Sequence, residues 1–201
     1  MAIRRIRAAV LALHWQVNVI RPEGFFGPML AAPVAASGVV GRAARFHGAA
    51  AKADVPVLFT RFTIPVGEGE LVRNTGFMRS VAAAQTEFRP DAPGARIIAE
   101  MAAQAGGVFD NQRLSGLAGG GLAAWLGAQG IDTLFLTGVA TNLTVEQTAR
   151  HGTDLGFTVH TVTDCVAAAD AAAHEASVTN LGLVTAGNVD AETALAMFAQ
   201  P

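Results

Sequence analysis

The sequence alternates short apolar runs with longer segments of helix-compatible composition, and this alternation constrains the fold more than any other feature. The apolar runs have the length of strands and occupy residues 8–14, 55–61, 106–110, 131–138 and 157–164. Strands separated by helices pair through right-handed crossovers, which produces a parallel sheet covered on both faces. The sequence therefore predicts an α/β fold, a three-layer α/β/α sandwich around a mainly parallel six-stranded sheet.

The segments between the runs complete this prediction. Helices are predicted over residues 37–54, 95–104, 119–130, 144–156 and 167–182, and a short sixth strand over residues 183–186. Ser37 is available to cap the first of these helices. Residues 62–93 contain Gly, Pro and mixed polar residues with little periodicity, which predicts a long loop. A loop of that length in a compact domain is usually functional or forms a subunit contact.

Length, charge and cysteine content narrow the class of protein. A chain of 201 residues fits a single domain over residues 1–201. The net charge is −2, and the basic residues at 4–7 are expected to form a solvated flank, so no nucleic-acid partner is predicted. Cys165 is the only cysteine, which excludes an intrachain disulfide and fits a reducing compartment. No apolar run approaches the length of a membrane span, so a cytoplasmic protein without a membrane partner is predicted.

The predicted sheet also indicates where a ligand would bind. In open α/β sheets the ligand site lies outside the carboxyl ends of the strands. The residues at those ends are His14, Gln16, Arg61, 110–113, 141–144, Asp164 and Cys165. Trp15, Phe25 and Phe26 follow the first strand, where they would either line an apolar pocket or belong to the core or an interface.

Two longer segments carry a family resemblance. They are "GIDTLFLTGVATNLTVEQTARHGTDLGFTVHTVTDCVAAA" at residues 130–169 and "NQRLSGLAGGGLAAWL" at residues 111–126. Both resemble the isochorismatase-like hydrolases, also called the cysteine hydrolase family, and the similarity covers nearly the whole chain. The resemblance implies the sandwich fold already predicted and a homodimer or higher homo-oligomer.

The resemblance also implies where a catalytic set would lie. The family uses an Asp, a Lys and a Cys, and the corresponding positions here are His14, Asn111 and Thr144. A non-proline cis peptide common in the family would fall at Val139–Ala140. Substrate contacts are expected from Gln16, Arg61, Arg113, Val139, Ala140, Thr141 and Asn142. No metal and no cofactor are expected, because "TRFTIPV" after the second strand lacks the ligands of the metal-binding subgroup.

Three functions remain open for such a site. In the first, His14 serves as the base that activates the Thr144 hydroxyl against an amide-type C–N bond, with Asn111 as a polar anchor. In the second, His14 as imidazolium protonates a vinyl ether, as in family members that lack the cysteine. In the third, the protein binds a small ligand without turnover. Thr144 also has an ordinary alternative role as a helix N-cap.

Overall fold

The computed structural model describes residues 7–199 and confirms the predicted α/β fold. All neighbouring strands of its six-stranded sheet run parallel, in the order β3-β2-β1-β4-β5-β6. The strands are β1 (Ala8–Leu13), β2 (Val57–Phe62), β3 (Gly107–Asn111), β4 (Thr133–Val139), β5 (Thr158–Ala167) and β6 (Asn188–Val189). The predicted basic flank lies outside the described residues except for Arg7.

Helices cover both faces of the sheet. They are α1 (Val17–Ile20), α2 (Gly27–Ser37), α3 (Val39–Lys52), α4 (Gly76–Ala83), α5 (Ala99–Ala102), α6 (Leu122–Ala128), α7 (Glu146–Asp154), α8 (Ala171–Val184) and α9 (Ala191–Phe198). No helix within residues 7–199 has the length and apolar character needed to cross a membrane.

The alternation of side chains along β1 builds two separate cores. Val10 and Ala12 point to one face and pack in a cluster with residues of α2, α3 and α9. Leu11 and Leu13 point to the other face and pack with residues of α6, α7 and α8. Because both faces are buried, β1 is apolar throughout, as expected for a strand of a parallel sheet covered on both faces.

The strand order reverses between β1 and β4, which pair directly at the centre of the sheet. The connection from β1 to β2 includes α3 on one face, and that from β4 to β5 includes α7 on the other face. The chain therefore leaves the ends of β1 and β4 in opposite directions and opens a crevice between them.

Some predicted elements differ from the observed ones. The predicted strand at 183–186 is wrong, because α8 extends to Val184, Leu183 is 83% exposed, and the sixth strand is Asn188–Val189. The predicted loop at 62–93 contains α4, whose N-cap Thr75 accepts a hydrogen bond from the Met78 backbone. Ser37 ends α2, and Gly38 is the N-cap of α3. The sequence did not predict α2 or α9.

Candidate active site

His14 turns the chain sharply at the end of β1. Its φ of 54° lies in the left-handed region, which is uncommon for residues other than glycine. The residue is only 7% exposed, and Nε2 has no hydrogen-bond partner among the described residues. Burial lowers the pKa of His14 to about 4, so the imidazole is neutral near pH 7.

The end of β4 lies beside this turn. Gly138 has a φ of 146°, and a Cβ there would collide with the carbonyl oxygen of Leu13, so glycine allows β4 to pass close to the end of β1. The Val139–Ala140 peptide bond that follows is cis. The chain then forms a π-helical turn, Thr141–Val145, that continues into α7.

Thr144 lies inside this turn rather than at its start. The N-cap is Ala140, no side chain caps the turn, and Thr144 Oγ1 is buried without a partner among the described residues. The alternative role of Thr144 as an N-cap is therefore wrong. Its hydroxyl is left available for another interaction.

His14 and Thr144 line one cavity, which we call the active-site cavity. About 40 Å³ of it is open to the centre of a water molecule, which is room for roughly three waters. Its lining consists of His14, Val19, Phe26, Met29, Leu30, Phe77, Leu114, Val139, Ala140, Leu143 and Thr144. The wall is thus apolar except for one imidazole and one hydroxyl, the pattern of a small-molecule site with few orienting polar groups.

Comparison with known proteins identifies the family of this fold. The family model described as the Isochorismatase domain matches residues 8–193. The chain belongs to the isochorismatase family. An Escherichia coli relative, the uncharacterized isochorismatase family protein YecD, is 42% identical over 53 residues, which cover 26% of this chain and 28% of that protein.

Two solved structures extend the comparison over the whole isochorismatase fold. A cysteine hydrolase from Pseudomonas syringae pv. phaseolicola has a TM-score of 0.83 at 22% identity, covering 98% of this chain and 94% of that chain. An N-carbamoylsarcosine amidase from Thermoplasma acidophilum has a TM-score of 0.71 at 22% identity, covering 93% of this chain and 98% of that chain. At these identities the likeness concerns the fold.

Asn111 is not brought to the active-site cavity of this isochorismatase-family chain. Its Nδ2 donates to the Ser115 carbonyl at 2.7 Å and more weakly to the Ala118 carbonyl at 3.5 Å. These bonds tie the end of β3 to the following loop. Asn111 Oδ1 is buried without a partner among the described residues, but the residue does not line the cavity.

The residues predicted as substrate contacts separate into two groups. Val139 and Ala140 line the active-site cavity. Thr141 is buried and shares a 2.9 Å hydrogen bond with His174 Nδ1, whereas Asn142 is exposed. Neither Thr141 nor Asn142 contributes a side chain to the cavity wall.

The other predicted contacts lie away from this cavity. Gln16 is fully buried, donates to the Phe62 carbonyl at 3.1 Å and accepts from the Phe62 amide at 2.7 Å. Arg61 forms a two-point ion pair with Asp110, each bond 2.7 Å long. Gln16 thus ties the segment after β1 to the end of β2, and Arg61 on β2 is paired with Asp110 on the neighbouring β3, so neither side chain lines the active-site cavity. Arg113 lies on the wall of a second, larger cavity.

Two aromatic residues form part of the wall of the active-site cavity. Phe26 and Phe77 stack with their ring centroids 5.5 Å apart and their planes within 6°. The sequence singled out Phe26 but missed Phe77, Leu30 and Leu114, which come from α4, α2 and the segment after β3. No local pattern marks these three, because their contribution depends on how distant segments pack. Trp15 is a core residue instead, donating from Nε1 to Thr137 Oγ1 at 3.3 Å.

Within residues 7–199, the cysteine does not form a reactive thiol site and the acidic groups do not form a metal site. Burial, followed by the neighbouring Asp164, raises the pKa of Cys165 to about 12, so the thiol stays protonated and unreactive. Within residues 7–199, no group of three or more His, Cys, Asp or Glu side chains is arranged to hold a metal ion.

Proposed function

We propose that the chain hydrolyses an amide-type C–N bond at a small, neutral reacting group, with His14 as general base and Thr144 as the residue that positions water. One observation carries the proposal: His14 Nε2 and Thr144 Oγ1 are both buried, lack protein partners among the described residues, and line one cavity. A buried polar group without a partner lowers the stability of the fold by about 1–3 kcal/mol. Two such groups at one cavity therefore indicate a site where water or substrate supplies the missing hydrogen bonds.

The protonation state of His14 favours base catalysis. A pKa lowered to about 4 leaves the ring unprotonated at neutral pH, so it is in the form that a general base requires. Protonation of a vinyl ether would instead require an imidazolium, whose charge the apolar cavity disfavours. The lining supports neutral substrate groups for the same reason, since no charged side chain within residues 7–199 lines this cavity.

The arrangement favours water over Thr144 as the nucleophile. His14 and Thr144 are not hydrogen-bonded to each other, so His14 does not hold the threonine proton. The cavity that both residues line has room for a water, and one water suffices to connect a base to its target. The water oxygen attacks the amide carbon while its proton passes to His14 Nε2. The C–N bond then breaks, and the amine leaves with that proton.

The developing oxyanion lies at the start of the Thr141–Val145 turn in this proposal. The first N–H groups of a helix have no intrahelical acceptors and bind anions. Donors fixed in this way are among the largest contributors to acyl-transfer catalysis. The amide class draws support from a structural neighbour that is an N-carbamoylsarcosine amidase.

A second candidate is a non-catalytic protein that binds a small ligand in this cavity. The position of Asn111 favours it, since the third residue of the predicted set bonds to a loop instead of lining the cavity. Four properties stay predictions: a single domain over 1–201, a homodimer or higher oligomer, a cytoplasmic location, and the lack of a cofactor.

The test is turnover of a panel of short neutral amides and vinyl ethers, alongside thermal-shift binding. We expect amide hydrolysis by the wild-type protein and its loss in His14→Asn, a replacement that tolerates the left-handed backbone. Binding without turnover by the wild-type protein would support the non-catalytic candidate. Turnover of vinyl ethers but not amides would reject base catalysis.

A further inference from the structure

A second cavity lies beside the active-site cavity and is much larger. We call it the outer cavity; its wall includes Thr75, Met78, Arg113, Ser115, Arg150 and His151. About 470 Å³ of it is open to the centre of a water molecule, against about 40 Å³ for the active-site cavity. It could therefore accommodate the part of a substrate that the smaller cavity excludes.

The two cavities share walls. Leu114 lines both cavities. Of two adjacent residues in α4, Phe77 lines the active-site cavity and Met78 lines the outer cavity. Thr144, in the π-helical turn, lines the active-site cavity, and His151, seven residues further along in α7, lines the outer cavity. At the rise of a helix, seven residues correspond to about 10 Å along the axis. A ligand that reaches both cavities is consequently elongated.

The outer cavity offers arginine groups with unused hydrogen-bonding capacity. Arg113 makes no hydrogen bond to a described residue; its nearest acid, Glu70, lies 3.7 Å away and is 60% exposed. Arg150 donates to Glu146 Oε1 through Nε and Nη2, which leaves Nη1 without an acceptor among residues 7–199. Asp154 lies on this wall, and Glu70 and Glu146 are ion-paired with the two arginines, so an anion would be held by the unused N–H donors of Arg113 and Arg150 rather than by an excess of positive charge.

A serine–histidine pair adds further hydrogen-bonding groups to the wall of the outer cavity. Ser115 Oγ and His151 Nδ1 lie 2.9 Å apart, and Ser115 Oγ also accepts from the Leu117 amide at 3.2 Å. Guanidinium groups pair with carboxylates through two parallel hydrogen bonds, and such charged bonds are about twice as strong as neutral ones.

We propose that the outer cavity binds a carboxylate at the far end of the substrate, about 10 Å from the reacting amide. The substrate class is then a monoamide of a straight-chain dicarboxylic acid or a molecule of similar shape. Its amide enters the active-site cavity, its chain passes Leu114, and its carboxylate meets Arg113. The amide end of this assignment rests on the proposed function, whereas the carboxylate end rests on the outer cavity alone.

The test measures the binding of suberamate and octanamide by calorimetry, because these differ by one terminal carboxylate. Arg113→Gln removes the proposed anchor, and Arg45→Gln removes the same charge from the exposed surface of α3, on the opposite face of the sheet. We expect suberamate to bind the wild-type protein at least about tenfold more tightly than octanamide. Arg113→Gln should remove that preference and Arg45→Gln should preserve it.

The outcomes separate this proposal from the proposed function. Equal affinity for suberamate and octanamide, or equal effects of the two arginine variants, would overturn the carboxylate site. Tight, Arg113-dependent binding of suberamate without hydrolysis would uphold the carboxylate site and reject the hydrolase. Hydrolysis of octanamide with no preference for suberamate would uphold the hydrolase and reject the carboxylate site. Thermal unfolding of each variant checks that it is folded.

Discussion

His14 and His47 are two buried histidines with opposite surroundings. Burial lowers the pKa of both, to about 4 for His14 and about 3 for His47, so both are neutral near pH 7. His47 lies inside α3, where Nε2 shares a 2.8 Å hydrogen bond with Thr137 Oγ1 and the ring meets Phe59 edge-on at 5.5 Å. His14 lies at the end of a strand and lines a cavity.

A buried histidine is therefore a candidate base only if a substrate can reach it. Both residues have one ring nitrogen without a partner among the described residues, Nε2 in His14 and Nδ1 in His47. The depressed pKa and the unpartnered nitrogen are common to the two. The difference is that His14 lines the active-site cavity and His47 does not. We therefore assign His14 a catalytic role and His47 a structural one.

The largest expected effect is that of His14→Asn on activity. Removal of a general base lowers kcat/KM by about 100- to 10,000-fold, while an asparagine tolerates the positive φ. Steady-state hydrolysis of the best amide measures this loss, with thermal unfolding as the control for folding. Activity within about tenfold of the wild-type value would place His14 with His47 as a structural residue.

Acid should destabilise the wild-type protein through both histidines. Each has a folded pKa below the unfolded value of 6.5, so the unfolded state binds protons first as the pH falls. The stability is intact above about pH 6.5 and decreases toward pH 4, by roughly 3 kcal/mol from His14 alone. Urea unfolding at several pH values measures this loss, and His14→Asn should reduce it. If the free energy of unfolding of His14→Asn fell with pH as steeply as that of the wild-type protein, the burial of a neutral His14 would be contradicted.

The core histidine should affect stability rather than chemistry. We expect His47→Ala to lower the free energy of unfolding by about 2 kcal/mol, because Thr137 loses a hydrogen-bond partner and the aromatic rings lose contacts. The folded protein should keep its kcat/KM, measured below the onset of unfolding. A loss of activity comparable to that of His14→Asn would erase the distinction between the two residues.

The smallest effect is expected at Thr144. Thr144→Val keeps the shape of the side chain but removes the hydroxyl that positions water, and a decrease of about tenfold in kcat/KM follows from one lost hydrogen bond. Thr144→Ser should remain close to the wild-type rate. Mass spectrometry during turnover should detect no acyl-enzyme. An adduct on Thr144, or complete loss of activity in Thr144→Val, would identify threonine as the nucleophile instead.

Local sequence patterns predicted the elements that local physics determines. β1 and β4 are buried along their full length and carry no charged residue, so their positions could be recognised directly. The two residues of β6 carry no such pattern, and the apolar residues just before them end a helix. In α2 an internal Pro33 obscures the helical pattern.

The candidate site was predictable where it follows from the ends of strands. His14 and Thr144 could be selected because β1 and β4 end beside each other and because the family resemblance marks those positions. The role of Gln16 could not be predicted from the sequence, since its hydrogen bonds to Phe62 form only when β2 lies next to β1. Phe77 and Leu114 also required the fold, because packing across distant segments brings them to one cavity.

The most direct test of the account is the pH dependence of kcat/KM for a neutral amide in the wild-type protein and in His14→Asn. We expect the wild-type value to rise with pH through an apparent pKa near 4 and to stay level across neutrality, as a buried neutral base requires. His14→Asn should lack that rise and remain about 100-fold or more below the wild-type plateau. A wild-type rate that falls as the pH rises, or a profile that His14→Asn leaves unchanged, would contradict the role of His14 as the general base.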